Sequence, residues 1–347
     1  MSRILSTGRR YGSWIVIGAV AAFVPWSLVH AGRMIEEHRP ADPQGEVEIV
    51  NVSGKVEIMG WDRSEVEVRG SAGDNVERVD VMSAGNHTSI HVVSRAVRGW
   101  GSDKEAHLVI HVPAKSMVSA SLVSADCKVS GLAGDVKLQA VSGNLSGDTG
   151  GDIRASTVSG DVRLTAHAAK NVEIKTISGD IQLMGGGGDV DITTVSGSAM
   201  LELGEVSRGR LKTVSGDLGA KLAVAPDAQI ESESVSGDVS MTFAGSPAAQ
   251  FDVQSFGGDI KNCFGPKALE SRYGPGSRLQ FKNGEGRAQV QIRTKSGDVR
   301  LCVKGMAGGG MAGTTGKGGA RGRQAVQGRI CPTARVAALG MVVPYVY

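Results

Sequence analysis

Between Asn171 and Met184 apolar and polar residues alternate strictly. The run NVEIKTI sets Val172, Ile174 and Thr176 on one side; Ser-Gly intervenes; DIQLM then sets Ile181 and Leu183 inward again. Alternation with period two predicts a strand, because a helix repeats its apolar positions three and four residues apart. The next unit repeats the arrangement as DVDITTV, Ser-Gly and SAMLEL. Aligned on the Ser of each Ser-Gly, the units fall at Ser142, Ser159, Ser178, Ser196, Ser215 and Ser236, then at Gly257 and Ser296. The spacings are 17, 19, 18, 19, 21 and 21, followed by 39, close to two periods. A sustained period of this size means stacked supersecondary units. Each unit reads as strand, Ser-Gly corner, strand and a second corner that is often glycine-rich, as at GGGGDV from Gly185.

The predicted fold is all-β, a parallel β-solenoid of two-strand rungs of about 18–21 residues with an irregular β cap at its N-terminal end. Rungs stack about 4.8 Å apart through parallel main-chain hydrogen bonds, and inward aliphatics fill the space between two facing sheets. The corners Ser159-Gly160-Asp161, Ser178-Gly179-Asp180, Ser215-Gly216-Asp217, Ser236-Gly237-Asp238 and Ser296-Gly297-Asp298 are structural in this reading. Gly takes positive φ without steric cost, and Ser and Asp bond nearby backbone amides of the turn.

Domain limits follow from where the period weakens. Residues 1–31 read as an export signal: Arg3, Arg9 and Arg10 precede the apolar run from Trp14 to Val29, which closes on Val29-His30-Ala31. A retained anchor is the alternative. Residues 32–45 read as a linker, 46–123 as the cap region, and 124–304 as the repeats, with a C-terminal hairpin turning at Asn283-Gly284. Residues 305–347 read as a Gly-rich low-complexity tail without order.

Composition sharpens this picture. The chain of 347 residues has 50 Gly and only 4% aromatics, which suits many turns and a thin Val/Ile/Leu core. Its net charge is +3, with basic and acidic residues closely matched, so no nucleic-acid-sized basic field exists. The cysteines, Cys127, Cys263, Cys302 and Cys331, show no CxxC and no zinc spacing. Cys263 and Cys302 share one phase of the unit, each four residues after a corner Asp, at Asp259 and Asp298. A plain stack leaves them two rungs apart, beyond disulfide reach. If the segment between Gly265 and Glu285 leaves the stack they become rung neighbours, and a Cys263–Cys302 disulfide is expected in an exported chain.

Candidate chemistry is sparse. The column of Asp161, Asp180, Asp217, Asp238, Asp259 and Asp298 could suggest calcium ligands or the acids of a polysaccharide-cleaving enzyme. Asn144 and Ser198 interrupt it, and the calcium-binding Gly-Gly-x-Gly-x-Asp nonapeptide is absent, so turn formation is the favoured role. His87, His91, His107 and His111 lie on strand-like segments, where residues four apart sit about 13 Å apart and cannot chelate one ion. No catalytic, cofactor-binding or metal-ligating residue is assigned.

Taken together, GWDRSEVEVRG from Gly60, the tandem VSGDV rungs and the closing NCFGP, SRYGPG, LQF and SGDVRLC resemble the bacterial "putative adhesin" family of β-strand-repeat proteins, a domain of unknown function. The resemblance spans roughly Glu46 to Lys304. It implies an exported β-solenoid in the periplasm, on the cell surface or secreted, with a non-enzymatic, adhesin-like binding or scaffold role. Expected partners are an envelope or surface protein, a glycan or another copy of the chain. They would meet outward residues such as Arg163, Lys175, Gln182 and Lys212, or the Tyr273 loop. Nucleic acid is not expected, and membrane contact would come only through an uncleaved N-terminal segment. A carbohydrate-active β-helix enzyme and a structural or stress-response envelope protein without a ligand are the alternatives.

Overall fold

The computed structural model describes residues 33–73, 76–94, 106–270 and 276–305. The expected export segment, the Tyr273 loop, Cys331 and the tail from Met306 lie outside them. Within them the chain forms strands and no helix. Toward the N-terminal end are β1 (Arg33–Pro40), β2 (Glu46–Trp61), β3 (Glu65–Ala72), β4 (Val76–Ala84), β5 (His87–Ser94), β6 (Ala106–Pro113) and β7 (Met117–Leu132). The middle holds β8 (Val136–Ser142), β9 (Leu145–Thr149), β10 (Ile153–Ser159), β11 (Val162–Ala166), β12 (Asn171–Ser178), β13 (Ile181–Gly185), β14 (Gly188–Ser196), β15 (Ala199–Ser215) and β16 (Leu218–Ser236). The C-terminal end holds β17 (Val239–Phe243), β18 (Ala249–Ser255), β19 (Ile260–Asn262), β20 (Leu269–Glu270), β21 (Ser277–Asn283), β22 (Ala288–Ser296) and β23 (Val299–Val303).

One face runs β8, β10, β12 and β14 in parallel, then the second halves of β15 and β16, then β22 and β18. The opposite face runs β9, β11, β13, the first halves of β15 and β16, then β17, β23 and β19. Because β2, β7, β15 and β16 bend across corners without a break, all 23 strands join one hydrogen-bonded sheet. Alternation puts one parity of each strand inside: Val172, Ile174, Ile181 and Leu183 are at most 2% exposed. Beside the corner the rungs from β10 onward add a small polar residue to the interior, the buried column Thr157, Thr176, Thr194, Thr213, Ser234 and Thr294, where β7 and β8 have Leu122 and Ala140. The C-terminal end of the core is aromatic instead. Phe251 stacks on Phe281 with centroids 4.6 Å apart, and Phe243 and Phe264 meet it edge-on.

Both ends depart from the sequence reading. The expected irregular cap at 46–123 contains a regular rung, since β2 pairs in register with β7 from Glu46↔Met117 to Met59↔Ser130. The rung outside it, β5 with β6, comes later in the chain than β2 and lies on its other side. Antiparallel strands then cover that outer rung, β4 on β5 and β3 with β1 on β6. The region looks irregular in sequence because the chain leaves the stack to lay those strands.

At the other end the predicted hairpin does not form. β21 and β22 lie on opposite sides of β18, β21 antiparallel to it and β22 parallel. The rung of β18 and β19 is therefore outermost, and the chain returns to fill the gap beside β16 and β17 with β22 and β23. The Asn283-Gly284 turn is real but crosses the start of β18. A Cβ added to Gly286 would stand 1.7 Å from the Ala248 carbonyl oxygen, so glycine allows this close passage. The spacing of 39 marks this reordering, and it brings Cys263 and Cys302 together as a disulfide with Cα atoms 4.8 Å apart. Cys127 sits in the core at 1% exposure, where burial pushes its thiol up to about 12.

Candidate binding surface

The corner is the most repeated local structure, and it is built for stacking. Gly160, Gly179, Gly216, Gly237 and Gly297 have φ between 126° and 146°. At Gly179 a Cβ would also stand 2.1 Å from the Gly160 carbonyl oxygen of the neighbouring rung. Glycine is thus required both by the turn and by the closeness of the next one.

The corner Asp does not bond its own turn, as the sequence suggested. Asp161 Oδ1 accepts the Asp180 amide at 3.0 Å, Asp180 Oδ1 accepts the Ser198 amide at 2.9 Å, and Asp217 Oδ1 accepts the Asp238 amide at 2.9 Å. Asp238 and Asp298 continue the series to Asp298 and Asp259. Asn144 fills the same role, accepting the Asp161 amide at 3.0 Å. In a stack the equivalent amide lies one strand spacing along the axis, within reach of a short carboxylate. The Asp180 amide, with the Arg163 guanidinium behind it, holds the Asp161 carboxyl below its ordinary range against the opposing effect of burial. The corner Ser residues Ser159, Ser178, Ser215, Ser236 and Ser296 are exposed.

The outward residues nominated from sequence divide between the two faces. Arg163 and Gln182 are neighbours across β11 and β13, and Arg163 bonds Asp161 at 2.8 Å. Lys175 and Lys212 lie on the opposite face, separated by Thr193. Lys175 pairs with Glu173, and Lys212 with Glu233 at 2.8 Å. No single small ligand meets all four. On the face of Lys175 an open groove of about 830 Å³ crosses the rungs, lined by Lys137, Arg154, Glu173, Asp191, Arg210 and Glu231 among others. Its charges alternate and pair: Arg154 with Glu173 at 3.6 Å, and Arg210 with Asp191 at 3.4 Å and Glu231 at 3.9 Å. Such a strip suits an extended polar partner, which would exchange these exposed pairs at small net cost.

The four candidate histidines do not converge. His87 lies beside Glu46 and Glu48 on one face, while His107 and His111 belong to β6 on the other. His111 stacks on Trp61 with centroids 4.9 Å apart and approaches Glu67 Oε2 at 3.1 Å. Arg69 at 2.8 Å and His38 at 3.4 Å also face Glu67, whose side chain is 3% exposed. Sequence gave no sign of this buried carboxylate, because alternation in EVEVRG places Glu67 outward and does not reveal that β1 covers it. Among the described residues, no group of three or more His, Cys, Asp and Glu could hold a metal ion.

A second feature also escaped the sequence reading. The residue before each corner Ser points outward, and in rung after rung it is aliphatic: Val52, Val123, Val141, Val158, Ile177, Val195, Val214 and Val235. Each is 42–52% exposed. The register of the flanking Thr and Ser positions aligns them in one row. Lys295 follows in that row, and Phe256, 67% exposed, ends it.

A family model described as Toastrack DUF4097 matches residues 45–302. No curated protein matches the chain. Among solved structures, a "putative adhesin" from Bacteroides fragilis NCTC 9343 is 13% identical, with 78% of this chain and 97% of that chain covered at a TM-score of 0.34. Another from Parabacteroides distasonis ATCC 8503 is 14% identical, covering 78% and 97% at 0.28. A "putative cell adhesion protein" from Clostridium sporogenes ATCC 15579 is 8% identical, covering 78% and 100% at 0.24. Likenesses this distant carry no argument about what the chain binds.

Proposed function

We propose, for a chain that belongs to the Toastrack DUF4097 family, an exported and non-enzymatic role in the cell envelope. The stack holds its outward faces as a scaffold on which an envelope protein or a surface glycan docks. The use of the carboxylates carries this reading. A polysaccharide-cleaving pair needs one acid whose pKa is raised so that it stays protonated. Among the described residues, the carboxyls that depart from their ordinary range, at Glu57, Asp152, Asp161, Glu173, Glu202 and Glu233, all depart downward. Lysine partners are the main cause at Glu57, Glu173, Glu202 and Glu233. At Asp152 burial pulls upward and is outweighed by bonds from Asn171 and Lys170. These acids are committed to holding strands and neighbours in place.

Export is supported by the Cys263–Cys302 disulfide, a bond that persists in oxidising compartments, and by the apolar run behind the N-terminal arginines. Crosslinking of the full chain in intact cells, followed by fractionation, is expected to give conjugates in the envelope. Recovery in the cytosol with both cysteines reduced overturns the export reading. Depolymerisation of an envelope polysaccharide by the purified chain overturns the non-enzymatic one.

A further inference from the structure

We infer that the aliphatic ridge from Val52 to Val235 is a surface on which two copies of this chain pair side by side with their stack axes parallel. This goes beyond the scaffold role and stands or falls separately from it.

Three observations carry the pairing. The first is area. About half of each ridge side chain is exposed, roughly 60–70 Å² apiece, so the row offers on the order of 500 Å² per copy, near the upper end of apolar patches on ordinary monomers. A stable interface needs about 800 Å² per partner, and Phe256 with the polar rows beside the ridge supplies the rest.

The second is spacing. Ridge residues recur at the separation of hydrogen-bonded strands, about 4.8 Å, rung after rung. A partner that matches such a row over its whole length must itself be a β stack, as in the dry interfaces between paired sheets. A second copy provides an identical row. Near the C-terminal end Val195, Val214, Val235 and Phe256, with Lys212 and Lys295, line an open, mainly apolar surface that continues the ridge.

The third is charge, which selects the orientation. Beyond the corner runs the acidic row that includes Asp161, Asp180, Asp217 and Asp238. Two residues before the ridge runs a row in which Lys175, Lys212 and Arg293 outnumber Glu233. A two-fold axis parallel to the stack brings the acidic row of each copy opposite the basic row of the other. A two-fold axis across the stack brings acid onto acid and base onto base, which is repulsive.

The test uses the full chain with Cys331→Ser, so that the tail thiol cannot crosslink. Sedimentation equilibrium is expected to show a monomer–dimer equilibrium. Ile177→Glu with Val214→Glu should weaken it at least about a hundredfold by placing unpaired carboxylates in a dry interface, while far-UV circular dichroism stays unchanged. Val195→Cys should form a disulfide-linked homodimer under mild oxidation, because a parallel axis sets the same rung of each copy face to face. A wild-type chain that stays monomeric overturns the inference, as does a dimer indifferent to the two Glu substitutions. Ridge-dependent binding of the monomer to anionic phospholipid vesicles would make the ridge a membrane contact and overturn it too. Crosslinking of Val141→Cys to Val235→Cys in preference to Val195→Cys would overturn the parallel orientation.

Discussion

Gly179→Ala tests the corner most directly. Gly179 has φ of 138°, where an L side chain costs about 1–2 kcal/mol. The new Cβ would lie 2.1 Å from the Gly160 carbonyl oxygen and 2.7 Å from its carbon, both backbone atoms. Relief requires separating two rungs whose strands are in register on both faces, and overpacking of this kind costs about 1–3 kcal/mol. The sum is about 2–5 kcal/mol. For a unit of this size each kcal/mol lowers Tm by about 2–4 °C, so a drop of about 4–20 °C is expected. Gly85 is the matched control: its φ is 62° and nothing lies within 4 Å of the added Cβ. Gly85→Ala should show only the conformational cost, about 1 kcal/mol. Urea and thermal unfolding of both variants measure the difference. If Gly179→Ala proves no more destabilising than Gly85→Ala, rung contact does not explain the repeated glycine.

Asp180→Ala should cost about 1 kcal/mol by urea unfolding, having lost the acceptor for the Ser198 amide at 2.9 Å in a partly solvated site. Asp180→Asn should cost less than half of that, since Asn144 already does this work for Asp161. The depressed pKa of Asp161 sets a sign for acid unfolding. Its stabilisation is complete above the unfolded value near 4 and is lost as pH falls through the lower folded value, so Asp161→Ala should flatten stability against pH below about pH 4. Cys302→Ser opens a loop closed across 39 residues, and the chain-entropy relation puts the loss at about 4 kcal/mol. An unchanged unfolding midpoint on reduction would show that the outer rung is held without the bond.

What was legible in the sequence was whatever depends on neighbours along the chain. Alternation in NVEIKTI and DIQLM, the corner glycines and the period follow from strand geometry and from the φ a tight corner needs. The destination of the Asp carboxylate was hidden because its acceptor role points along the stack, into a residue 19 positions away in the case of Asp180 and Asp161. Strand order at the ends was hidden for the same reason: alternation in β21 and β22 is identical whether they pair with each other or flank β18. Only the spacing of 39 hinted at it. The ridge was on view yet easily passed over. A branched residue at a strand's end reads as β propensity, and only the buried Thr before it shows that Val158 or Ile177 faces water.

The reordered ends and the ridge fit one physical account. A parallel stack that simply stopped would leave unpaired amides and carbonyls at each end, a template for indefinite end-to-end growth. Here antiparallel strands occupy those edges: β4 on β5, β1 beyond β3 and β6, and β21 on β18. Beyond β18, β21 is itself paired on its outer side at Ser277 and Arg278 by β20, and β19, only 3 residues long, is held to β23 by the disulfide. Laying the outer rung out of chain order adds a further restraint. For the β18–β19 rung to peel away alone, the chain entering β22 on its inner side must also be displaced, so the end resists fraying as a single rung. The outermost strands are thus antiparallel, β1 and β4 at one end and β21 at the other, while the flank keeps an apolar row between an acidic row and a row richer in bases. On the inferred pairing growth stops at two copies, because a parallel two-fold contact uses the ridge of both and leaves none to recruit a third.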